Sequence, residues 1–137
     1  MNSNTCINKL GSLHKWNIGN DIREILLADE TLSGVVGHNI YPCIAPEKTE
    51  GDFILYKREK YSKSYTKMGI YEDECQVSLF IISDDYDTSN AIAAQVDNLL
   101  VGKHTRSDGY SFVVSLKDST EAFEENKYVQ TMLFEIK

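Results

Sequence analysis

Tyr71-Glu72-Asp73-Glu74-Cys75-Gln76-Val77-Ser78-Leu79-Phe80-Ile81-Ile82 is the stretch on which the fold turns. Cys75, Val77, Leu79 and Ile81 alternate with Gln76, Ser78, Phe80 and Ile82, a two-residue period that suits a strand and not a helix. Such a strand needs a partner. Phe53-Ile54-Leu55-Tyr56 opens one that becomes polar from Lys57, and the two pair as a hairpin with Arg58 to Ile70 as their connection.

Helices flank this hairpin. On the C-terminal side Asp84, Asp85 and Asp87 stand where a helix N-terminus favours negative charge, and Ile92, Val96, Leu99 and Leu100 then form an apolar stripe. Ala91, Ala93 and Ala94 allow close packing, and Gly102 is a C-cap with Lys103 and His104 at the negative end. On the N-terminal side Asn20 or Asp21 caps a helix whose stripe is Ile18, Ile22, Ile25 and Leu26. The pattern breaks near Asp29, a further turn carries Leu32, Val35 and Val36, and Gly37 ends it.

Ile40-Tyr41-Pro42 begins as a strand that Pro42 keeps from the middle of a sheet. Ala45-Pro46 and Thr49-Glu50-Gly51-Asp52 have loop chemistry, as does Ser107-Asp108-Gly109. Two closing strands follow, one with Tyr110, Phe112, Val114 and Leu116 in alternation and one with Met132, Phe134 and Ile136, joined by an exposed turn over Glu121 to Glu125. The expected order is α-β-β-β-α-β-β: an α+β fold with an antiparallel sheet and two helices on one face. Residues 1–17, rich in Asn and Ser, read as an extended or flexible arm, and 18–137 as a single domain.

The totals agree with one domain. A chain of 137 residues and 15.5 kDa can bury roughly two-thirds of its unfolded surface. A net charge of −7 and a pI near 4.9 argue against a general nucleic-acid binder. Cys6, Cys43 and Cys75 are too far apart for a CxxC pair, so neither a disulfide framework nor a zinc site is expected. No apolar run approaches the roughly 20 residues of a membrane span, and Asn2, Ser3, Asn4 and Asn8 interrupt any signal-peptide core.

Catalytic and cofactor motifs are absent from the pattern. His14, His38 and His104 have no partner at ligand spacing, and Asp84-Asp85-Tyr86-Asp87 lacks the glycine and distal Glu of a calcium loop. The expectation is a non-enzyme with no cofactor and no metal. One composition is unusual. Lys57, Arg58, Lys60, Lys63 and Lys67 fall within eleven positions, interleaved with Tyr61 and Tyr65 and followed by Met68 and Tyr71. Those nine residues are the candidate subunit or partner interface, because Tyr, Met and Arg are enriched at contact surfaces. A solvated arm whose lysines deter aggregation and a nucleic-acid patch are the other readings. Glu72 to Glu74, Asp84 to Asp87 and Glu121 to Glu125 are acidic stretches that such an arm could meet on a neighbouring subunit.

From Ile22 to Lys137 the chain resembles the phage tail-completion family of tail-terminator and head–tail joining proteins of long-tailed phages. The resemblance lies in Leu26-Leu27-Ala28-Asp29 with Leu32, Val35-Val36-Gly37, Ile40-Tyr41-Pro42 and Ala45-Pro46. It continues through Phe53-Ile54-Leu55-Tyr56, the strand around Val77 to Ile82, and Tyr86 with Ala91-Ile92-Ala93, Val96 and Leu99. Where a proline often precedes the strand at Phe53, this chain has Gly51-Asp52. The resemblance implies a virion subunit, made in the bacterial host cytoplasm, that forms a hexameric ring capping the tail tube and docking it to the head connector. It implies no catalytic residue. The implied partners are the chain itself, tail-tube and head-connector proteins, with no membrane and no specific nucleic-acid binding. The competing classes are a cytosolic α+β regulatory or small-ligand-binding domain and an unrecognised enzyme.

Overall fold

The computed structural model describes residues 14–65, 67, 69 and 71–137. A 3-10 turn, His14–Asn17, leads into α1, Ile18–Leu27, and after a kink into α2, Glu30–Val36. Strands β1, Ile40–Pro42, β2, Phe53–Tyr65, and β3, Tyr71–Ser83, precede α3, Tyr86–Leu100. The chain closes with β4, Gly102–Thr105, β5, Ser111–Glu124, and β6, Lys127–Ile136. All six strands form one sheet in the order β1-β2-β3-β6-β5-β4.

The α+β class therefore holds, with three differences from the expected arrangement. The N-terminal helical region is two helices, because Asp29 starts α2 anew: its side chain accepts a hydrogen bond from the Leu32 amide at 2.9 Å. The sheet is mixed rather than antiparallel. Ile40, Tyr41 and Pro42 lie parallel to Ile54, Leu55 and Tyr56, and a sixth strand, β4, occupies the place expected of a helix C-terminus. Pro42 sits at the end of an edge strand, where its missing N–H costs no ladder bond.

One core holds the elements together. Ile18, Ile22 and Leu26 of α1 and Ile92, Val96 and Leu100 of α3 share a buried cluster with Ile54, Cys75, Val77, Leu79, Ile81, Phe112, Val114, Met132, Phe134 and Ile136. Helix α1 packs on β2 and α3, and α3 packs on β3, β5 and β6. Ile25 and Leu99, expected within the core, only border it as half-buried residues. Helix α1 approaches β2 closely at Gly19, where an added Cβ would stand 2.9 Å from the Tyr56 ring.

The two long hairpins mirror each other. Arg58, Val77, Phe134 and Leu116 lie on one row across the sheet, and immediately after it β2 carries a bulge at Glu59 and β5 one at Lys117. The register relates β2–β3 to β5–β6 by an approximate two-fold through the Val77–Phe134 pair, so their tips point to opposite ends of the sheet.

Candidate functional site

The stretch from Lys57 is the first place where structure and expectation part. Arg58 to Tyr65 is not a connection but the outer half of β2, paired with Tyr71 to Val77; only residues 66–70 lie between the strands. Alternating hydrophobicity marks a strand only where one face is buried, and from Lys57 to Tyr65 every residue except half-buried Tyr61 is exposed. The hairpin is held instead by its ladder and by cross-strand charge. Lys60 Nζ lies 2.9 Å from Glu74, and its charge and hydrogen bond hold that exposed carboxyl below the usual range.

The acids at Glu72 to Glu74 therefore belong to the same arm as the lysines. Lys63 stands opposite Asp73 and Ser64 opposite Glu72. These acids were candidates for meeting the arm on a neighbouring subunit; the fold places them beside it within one subunit. The basic charge of the arm is concentrated on its outer strand, and the acidic charge on its inner one.

At the base of the arm the 3-10 turn locks onto it. Lys15, buried, pairs with Asp73 at 2.5 Å. The Arg58 guanidinium lies 4.5 Å from the centre of the Trp16 ring and donates to the Trp16 carbonyl at 3.1 Å. Tyr61 meets Trp16 edge-on at 5.1 Å, with Lys63 Nζ 5.5 Å over the Tyr61 ring. The bulge at Glu59 makes this possible, since the extra residue turns Tyr61 to the helix side and Lys60 to the opposite face. Of the nine candidate residues, Lys57, Arg58, Lys60, Tyr61, Lys63 and Tyr65 come together on β2. Lys67 is exposed beyond them, Tyr71 opens β3, and Met68 lies outside the described residues.

A second anchor was not visible in the linear sequence. Asp21 lies in the first turn of α1 but does not cap it, Asn17 holding that place, and is buried against Arg106 from the β4–β5 loop at 2.5 Å. Arg106 also donates to the His14 carbonyl and stacks 4.6 Å over Tyr110. Burial pushes the Asp21 carboxyl up, and the Arg106 hydrogen bond and charge offset that only in part. Nothing in spacing links positions 21 and 106.

The hairpin β5–β6 carries the opposite character. Its turn is Glu125–Asn126 alone, both in the left-handed region, so Glu121 to Glu124 is strand and not the expected exposed turn. Phe123, more than half exposed, packs on Tyr128 at 4.8 Å, and Tyr128 meets Tyr86 edge-on at 5.5 Å. The Tyr86 hydroxyl donates to Glu121 at 3.0 Å. Asp84 to Asp87 starts α3 as expected: Asp85 accepts from the Thr88 amide at 2.9 Å and the Thr88 hydroxyl at 2.7 Å, which holds its carboxyl low.

His104 Nε2 bonds the Leu100 carbonyl at 2.7 Å, satisfying the C-terminus of α3 from the neighbouring strand. Among the described residues no group of three or more His, Cys, Asp or Glu side chains is placed to hold a metal ion. A groove of about 390 Å³ runs between α2 and α3, lined by Thr31, Leu32, Val35, Thr88, Ala91, Ile92 and Gln95, none of them titratable. A polar cleft of about 260 Å³ lies beside the arm and contains Ser62, Ser64, Glu72, Glu74, Glu135 and Lys137.

No family model and no curated protein matches the chain. Among solved structures it resembles a chain in the virion of a native gene transfer agent particle, with a TM-score of 0.69 and 20% identity. The likeness covers 84% of this chain and 89% of that one, so the two share a fold over nearly their full lengths.

Proposed function

We propose that this chain is a non-enzymatic virion structural subunit of a phage or prophage, a tail terminator or head–tail joining protein. It forms a ring that caps the tail tube and docks it to the head connector. The observation that carries the reading is the fold shared, almost end to end, with a chain of a gene transfer agent virion. The resemblance of Ile22 to Lys137 to the tail-completion family points the same way, and the architecture suits the work. A ring subunit needs a small rigid core with long exposed arms, and here both hairpins project from one buried cluster. In this reading the arm from Lys57 to Tyr71 touches the next copy or a tail partner, and the virion is where the protein resides.

Sedimentation of the purified chain from micromolar to millimolar concentration, with and without a tail-tube protein, tests the proposal. Closed oligomers of one size, or co-sedimentation with tube ends, are expected. A monomer under every condition would defeat it and favour the small-ligand-binding alternative.

A further inference from the structure

Building on the ring-subunit reading, we infer that copies join head to tail through the two borders of their sheets, the basic rim of β2 in one copy meeting the acidic rim of β5 in the next. Strand β1 flanks β2 only from Ile54 to Tyr56, so from Lys57 onward β2 borders the sheet. Strand β4 flanks β5 only from Ser111 to Val114, so from Ser115 onward β5 is the opposite border.

The two borders are complementary. The β2 rim carries Lys57, Arg58, Lys60 and Lys63 against Glu59; the β5 rim and its turn carry Asp118, Glu121, Glu124 and Glu125 against Lys117. Each rim also exposes large rings, Trp16 and Tyr65 beside one and Tyr86 and Phe123 beside the other. Like charge opposes any two-fold pairing of a rim with its own copy, while opposite charge favours the heterologous contact that can propagate and close into a ring. Charged borders also deter indiscriminate edge pairing, so the same residues make the contact selective.

Strand direction is compatible with this joint. Strands β2 and β5 run antiparallel within one sheet, so copies placed side by side in the same orientation bring β5 of one antiparallel to β2 of the next. The open length of β2 lies toward Tyr65 and that of β5 toward Glu124, at opposite ends of the sheet. Joined copies are therefore stepped along the strands, and a closed ring must incline its strands to the ring axis.

Charge reversal tests the joint without touching the core. An acidic-rim variant carries Asp118→Lys and Glu124→Lys; a basic-rim variant carries Lys57→Glu and Lys60→Glu. All four positions are exposed, and circular dichroism with thermal melting checks that both variants fold. Each alone is expected to require at least a tenfold higher concentration for half-assembly, and an equimolar mixture should restore the parent's behaviour through alternating copies. Parent-like assembly of either variant, or no recovery on mixing, overturns the rim assignment while leaving the ring reading in place. A parent chain that never assembles overturns both.

Discussion

Hairpin β2–β3 has residues 66–70 between its strands and bears a basic rim, whereas hairpin β5–β6 turns through Glu125 and Asn126 alone and bears an acidic one. Their inner halves are alike, each a buried alternating strand beside the Val77–Phe134 pair and each bulged one row beyond it. The core half of a hairpin is thus dictated by burial and the outer half by what it must meet. Their anchorage differs as well. The first is clamped at its base by Lys15, Trp16 and Arg58; the second leans on α3 through Tyr86, Phe123 and Tyr128.

The strongest way to break the shared half is at its centre. Phe134→Ala is expected to cost about 3–5 kcal/mol in denaturant unfolding, because it opens a void between both hairpins and α3. Leu100→Ala should cost about 2–5 kcal/mol, and Leu99→Ala, at the border of the core, clearly less. Equal losses at Leu99 and Leu100 would contradict their difference in burial.

Next in size is the anchor that joins α1 to the loop before β5. Arg106→Ala leaves Asp21 buried without its cation, an expected loss of about 3 kcal/mol at neutral pH. The pH dependence has a definite sign. With its carboxyl already pushed up, Asp21 supports the fold best when protonated, and that contribution fades as pH rises through its raised pKa. The variant should therefore gain melting temperature from pH 7 toward pH 5 relative to the parent. Glu74 and Asp85 act oppositely, since their depressed carboxyls lend stability that is lost only as pH falls below about 4. A flat profile for the Arg106 variant would remove Asp21 from the account.

Gly19→Ala separates the seat of α1 from ordinary helix propensity. Alanine in place of glycine within a helix commonly stabilises, but here its methyl group meets the Tyr56 ring, and a loss of about 1–2 kcal/mol is expected. The smallest effect concerns the second tip. Glu125 holds a φ of 50° in a two-residue turn, so Glu125→Gly should raise stability by up to about 1 kcal/mol. No gain would mean the turn carries no strain at that position.

These contrasts also account for what could be read beforehand. The stripe Ile18, Ile22 and Leu26, the alternation from Cys75 to Ile81 and the acids before α3 were legible because each element buries one face or caps one end. The outer halves of both hairpins were not, because two solvated faces leave no period. Strand β4 hid for a related reason. It has only four residues, half-buried at Gly102 and His104, and Ser107-Asp108-Gly109 taken alone reads as a loop rather than as part of a hairpin connection. The candidate residues on β2 were legible from composition. Their clamp through Lys15–Asp73 and the Asp21–Arg106 pair depend on contacts across 58 and 85 residues, which no local pattern encodes.

The bulge at Glu59 means that the outer arm is specified by counting as much as by chemistry. Were Glu59 to pair regularly instead of bulging, every later residue of β2 would move one place along β3 and exchange sides. Tyr61 would then leave Trp16 for the opposite face, and Lys60, with its reach to Glu74, would swing under the 3-10 turn. Deleting Glu59, by contrast, would let the ladder close with Lys60 still opposite Gln76 and Tyr61 still opposite Cys75, so the arm would keep its faces.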